Sequence, residues 1–188
     1  MEYYDYWARI YDSNKQSTTL IHSYWSEYSH FGTWQFWVVV CLMILPLFIL
    51  IFLVDRQRIF EVFFFGFTVH VLWTYIDIAL ANHNKLVHPY FLSPQLPYAL
   101  SITTSAIPVA FLLVYQYCTN KGKSFFVYIV VISALLAFGF GTIEKLTGFL
   151  VLNNGMNQLY LFFIDIVVAT VAYFFTHMIK NFANWGNH

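Results

Sequence analysis

Charged side chains are scarce in this chain of 188 residues: only 10% are Asp, Glu, Lys or Arg, nine acidic against nine basic. A soluble domain carries about 25%, so an ordinary soluble fold is excluded. Lysine and arginine form no block anywhere; without one there is no electrostatic surface for nucleic acid, which is excluded as a partner. Cysteine is limited to Cys41 and Cys118, without metal-ligand spacing. The topology derived below sets them at different depths, too far apart for a disulfide. The opening MEYYDYWARIYD holds three acids before Ser13 and lacks the positive and apolar regions of a cleaved signal peptide, so the N-terminus is expected to be retained. A GxSxG elbow for a serine nucleophile, an HExxH zinc helix and a haem or nucleotide motif are also missing. No catalytic residue and no cofactor is assigned.

What is plentiful is apolar and aromatic. The apolar share is 60%, with 21 Phe, 14 Tyr and 6 Trp, the profile of a protein solvated by lipid with aromatic belts at the interfaces. Runs near the roughly 20 residues needed to cross about 30 Å of hydrocarbon occur five times, over residues 34–54, 59–81, 98–118, 124–151 and 158–179. Helices are required because open strands in lipid leave backbone groups unsatisfied, and the alternating segments of a closed barrel are absent. The fold class is therefore all-α, an integral membrane bundle of five transmembrane helices forming one domain over residues 34–188. Residues 1–33 precede it as an amphipathic interfacial segment. There, Tyr3, Tyr4, Trp7, Ile10 and Tyr11 share one helical face, and Leu20, Ile21, Tyr24, Trp25, Tyr28 and Phe31 form a second such stretch. Both read as helices lying in the membrane interface, as anchors or as a lid over the bundle.

Five spans put the termini on opposite sides. Arg56, Arg58, Lys121, Lys123 and Lys180 then fall on one side, against Arg9, Lys15 and Lys85 on the other. The positive-inside rule makes this a multi-pass protein of the cell membrane with its N-terminus outside and its C-terminus cytoplasmic. Pro46 and Pro108 each remove a backbone donor within a span and are expected to bend it. The segment 83–97 holds three prolines and is expected to form an outer loop packed back on the bundle. No internal repeat of the kind found in many transporters is visible. Glu61, one turn after Arg58 and near Asp55, reads as a solvated ion-pair cluster worth well under about 1 kcal/mol.

Ionisable groups at membrane depth each need a partner or a cavity and are functional candidates by default. Counting about 1.5 Å per residue from the expected outer span ends, Asp77 lies roughly 6 Å in and Glu144 and Asp165 roughly 10 Å in. They share a layer, with Lys145 beside Glu144 as a counter-charge. On the second span His70, Trp73, Thr74 and Asp77 follow an i, i+3, i+4, i+7 stripe. Ala137, Gly141, Glu144 and Gly148 make a small-residue stripe on the fourth span, and Asp165, Ala169, Ala172, Tyr173 and Thr176 line one face of the fifth. The third span opens with Ser101, Thr103, Thr104 and Ser105 at matching depth. These groups are expected to converge on a cavity roofed by the 83–97 loop, whose His88 and Tyr90 join the candidate ligand-binding set. Three acids against one intramembrane base favour a bound cation or a carboxyl held protonated. A metal shell built on His70 and Asp77 is a further reading, with the metal unspecified. A haem between His70 and His177 is excluded by their different depths.

The segments FGTWQFW from Phe31, VDRQRIFEVFFFGF, the Ile76–Asp77 pair, HPYFLSP, IPVAFLLVYQY and IEKLTG around Glu144 resemble an uncharacterised family of small polytopic membrane proteins found mainly in spore-forming Firmicutes. The resemblance extends over residues 25–180. It implies the multi-pass architecture and recurrence of Asp77, His88, Pro89, Pro108 and Glu144. The chain departs from the family at Lys145, where proline is usual, and in lacking a Trp after the fourth span. No activity comes with the resemblance. From the residues, the favoured function is binding or translocation of a small ion or solute at the carboxylates, proton- or cation-linked. The alternatives are a non-catalytic accessory subunit that pairs with itself or a membrane complex, and a membrane enzyme acting on a lipid.

Overall fold

Runs of apolar residues long enough to satisfy their own backbone become helices. The computed structural model describes residues 2–97 and 102–185, the last three by backbone alone. Tyr98 and Ser101, expected at the head of the third span, lie outside the described residues. A first helix, α1 (Tyr3–Tyr28), precedes α2 (Trp34–Leu53) and α3 (Ile59–Asn82). After these come α4 (Ile102–Lys121), α5 (Phe125–Leu146) and α6 (Gln158–Trp185). The chain is an all-α, multi-pass membrane protein: among the described residues, α2 to α6 are five helices long and apolar enough to cross a bilayer. Pro46 sits inside α2 without interrupting it.

The two amphipathic stretches ahead of the bundle run together as the single helix α1. Residues 13–19 between them contain no Gly or Pro, so nothing stops the helix. None of its residues is buried. Its end is tied down: buried Ser29, just past it, donates to the Phe91 carbonyl and accepts from the Phe91 N–H, both at 2.9 Å. Tyr24 stacks on Phe91 at 6.2 Å.

In lipid the hydrophobic effect does not pull helices together, so close packing and interhelical hydrogen bonds must do so. Gly66 of α3 allows the close approach of α4, since a Cβ there would lie 2.6 Å from Leu112 Cδ1. Phe65 stacks on Tyr115 with ring centroids 4.3 Å apart, and Phe125 on Tyr173 at 4.7 Å. Helix α2 buries only Val39 and Leu50 and forms the flank of the bundle.

The fourth span ends at Leu146 rather than at Val151. Gly148 takes φ +80°, a conformation costly for other residues, and the Phe149 N–H then bonds back to the Glu144 carbonyl at 2.7 Å. Phe149 and Leu150 turn inward and are buried. The chain continues into β2 (Val151–Leu152), which pairs antiparallel with β1 (Leu86–Val87) of the 83–97 loop. The Asn154 side chain donates to the His83 carbonyl at 3.2 Å. This short ribbon fixes the loop over the ends of α3, α5 and α6.

Candidate functional site

Three helices each contribute one acid to a single narrow cavity of about 50 Å³: Asp77 from α3, Glu144 from α5 and Asp165 from α6. The face of α3 that points there is set by the core positions Val62, Phe65, Val69 and Trp73, all buried, which repeat every three to four residues and carry Asp77 inward. Ala137 and Gly141 do the same for Glu144, and Ala169 and Ala172 for Asp165. Asp77 is 1%, Asp165 2% and Glu144 6% exposed. Among the described residues, the rest of the wall is apolar apart from Thr103, Trp73 and His88.

The acids are not equally supported. Trp73 Nε1 donates to Asp165 Oδ1 at 2.9 Å. His88 Nε2 lies 3.5 Å from Asp77 Oδ1, near enough for attraction but beyond a good hydrogen bond. Asp77 Oδ1, Glu144 Oε1 and His88 Nδ1 are all buried without a hydrogen-bond partner. Each such atom costs about 1–3 kcal/mol, and native proteins tolerate few of them. A cluster of three around one cavity fits groups kept ready for something that enters it.

Two π-helical turns border the same cavity, Ile102–Ala106 at the start of α4 and Leu135–Phe140 within α5. Ile102, Thr103, Leu136, Ala137 and Phe140 from these turns line it. A π-turn adds a residue to the helical circuit and moves side chains off the regular face, and such turns recur at functional sites. Pro108, one residue into the regular part of α4, has no N–H to continue an α-type ladder backwards, and this was the available signal for the first turn. The second had none beyond Gly139 and Gly141.

Other expected members lie elsewhere. Lys145 is exposed: adjacent helical residues point about 100° apart, so burying Glu144 turns Lys145 away from the cavity. His70 shares the face of Asp77 but lies two turns, about 10 Å, back along α3, and Thr74 lies about 100° round the helix from Trp73. His70 Nδ1 sits 3.1 Å from the Thr103 carbonyl and 3.2 Å from Thr74 Oγ1. His70 and Thr104 line a separate groove of about 150 Å³ between α2, α3 and α4. Tyr90 packs on Phe149 at 4.9 Å instead of reaching the cavity. The metal shell on His70 and Asp77 is overturned with them, and among the described residues no three His, Cys, Asp or Glu side chains lie close enough to share a metal. Cys41 is exposed, Cys118 buried, and both are free thiols.

The Glu61 cluster at the far end of α3 is not simply solvated. Glu61 Oε1 accepts from Arg58 Nη2 at 2.5 Å, Tyr115 OH at 2.6 Å and Lys180 Nζ at 2.8 Å. Arg58 also donates to Thr119 Oγ1 at 2.9 Å and to Asn120 Oδ1. The sequence could not show that Lys180, more than a hundred positions away, completes it. Comparison with known proteins adds nothing to this picture: no family, curated protein or solved structure matches the chain.

Proposed function

We propose that the cavity is a small-ion site that takes up protons within the membrane. The observation that carries this reading is that Asp77, Glu144 and Asp165 line one narrow cavity, with Asp77 Oδ1 and Glu144 Oε1 buried without a hydrogen-bond partner. No Lys or Arg lines the cavity, so a proton is the simplest way to relieve the buried negative charge. The space holds an ion and a water or two, and is far below the about 300 Å³ of an ordinary small-molecule pocket. A proton also needs no preformed shell of several ligands.

The placement of Arg56, Arg58, Lys121, Lys123 and Lys180 at the end remote from α1 supports a cytoplasmic position for that end. Proton uptake then occurs from the outside of the cell membrane. The test is potentiometric titration of the purified protein in lipid nanodiscs across neutral pH. Wild type is expected to bind at least one proton that Glu144→Gln with Asp165→Asn does not. Identical titration curves reject the reading.

A second reading, an accessory subunit, rests on α1, where Tyr3, Tyr4, Trp7 and Tyr11 stay exposed along a helix that buries nothing. Lipid headgroups satisfy such a face equally well. A stable oligomer that dissociates when residues 2–12 are removed, with proton binding absent, favours the subunit.

A further inference from the structure

We propose that His88 carries protons between an open vestibule beneath α1 and the buried carboxylates, which makes the α1 face the entry to the cavity. The proposal rests on reading the cavity as a proton site. Its basis is a shared wall: His88 and Leu86 line both the narrow carboxylate cavity and a vestibule of about 630 Å³. Ser17, Ile21 and Tyr24 of α1 and Asn82 and Asn84 at the end of α3 form part of that vestibule. The opposite direction is closed. Phe65, Val69, Ile129, Val168, Ala169 and Ala172 are each no more than 2% exposed and stack between the carboxylate layer and the Glu61 cluster.

Histidine suits the junction because one ring nitrogen can accept a proton while the other donates. The side chain is 8% exposed, with Nε2 3.5 Å from Asp77 Oδ1 and Nδ1 buried without a partner. The β1–β2 pairing ends one residue before it and holds its backbone in place. Among the described residues, the titratable groups facing it are Asp77 from α3, Glu144 from α5, Asp165 from α6 and Tyr24 from α1. Starting from a neutral ring protonated on Nε2, a swing of the side chain brings Nδ1 to the vestibule, where a hydronium ion gives it a proton and leaves water and the imidazolium. The ring then closes on Asp77, the Nε2–H bond breaks, and the proton joins Oδ1 to give the neutral acid. The ring is left neutral with its proton on Nδ1, and exchange through water restores the first form.

The test is the rate at which the infrared carbonyl band of the buried carboxyls shifts after rapid mixing of nanodisc-embedded protein into D2O. His88→Phe, which keeps the volume and removes both nitrogens, is expected to slow that shift at least about tenfold, the scale of a lost proton-transfer group. Added imidazole is expected to restore the rate in His88→Ala. Ser17→Cys, in a chain with Cys41 and Cys118 replaced by Ala, is expected to slow the shift once a bulky thiol reagent fills the vestibule. This arm decides the route if neither His88 variant folds. An unchanged rate in folded His88→Phe, or in the blocked Ser17→Cys protein, overturns the proposal. A wild-type protein with no exchangeable carboxyl band overturns the proton-site reading instead.

Discussion

Two clusters of polar residues occupy opposite ends of α3, and they are built on opposite principles. Around Glu61, donors from the residue before α3, from α4 and from α6 converge on one carboxylate, and Asn120 passes the network on to Asp55 at 3.0 Å. Around Asp77, three carboxylates line one cavity with a histidine and an indole, and two of the acids have buried oxygens without a hydrogen-bond partner. The first arrangement is what locking helices together in lipid demands. The second weakens the fold, and proteins accept that kind of loss mainly where function needs it. The contrast teaches that an intramembrane carboxylate alone does not mark a site; the completeness of its partners decides.

Mutations should therefore act in opposite ways at the two ends. The largest effect is expected for Glu61→Gln, which leaves Arg58 and Lys180 without their counter-charge. Allowing for its partial exposure to solvent, it should cost about 2–3 kcal/mol in reversible unfolding from mixed micelles. Trp73→Phe removes the donor to Asp165 and should cost about 1–2 kcal/mol in the same assay, while also altering proton binding, which Glu61→Gln should leave alone. Glu144→Gln is expected to change stability by less than about 1 kcal/mol, and toward greater stability, because it replaces a buried acid that has no partner. A large loss there would place Glu144 with Glu61 as a lock and erase the contrast.

The smallest effect concerns acid. The Asn120 side chain, with the Gln57 N–H, holds the Asp55 carboxyl below its ordinary value of 3.8. A lowered folded-state value means the contribution is complete above 3.8 and fades as pH falls beneath it. Stability should decline slightly on acidification in that window, less so in Asn120→Ala, as read by the unfolding midpoint against pH.

Much of the architecture was legible because its causes are local. Span length, the small residues beside Glu144 and Asp165, and the prolines of the 83–97 loop act over a few residues. So did the faces that bring Asp77, Glu144 and Asp165 together, since burial periodicity is written in the sequence. What escaped depends on finer geometry. A one-residue offset on a helix is enough to send Lys145 outward, while two turns of α3 separate His70 from Asp77 and leave it against the Thr103 carbonyl. The π-turns are a matter of backbone hydrogen bonding, and the Glu61 lock depends on Lys180, which packing of α6 supplies and no spacing announces.

The claim that three acids form one site is tested most directly by counting protons in a double-mutant cycle. Glu144→Gln, Asp165→Asn and the double variant are titrated beside wild type in nanodiscs. If the acids are coupled, the loss in the double variant will fall well short of the sum of the single losses, as groups sharing a proton require. Strictly additive losses would mean that Glu144 and Asp165 titrate independently, and would contradict a common site.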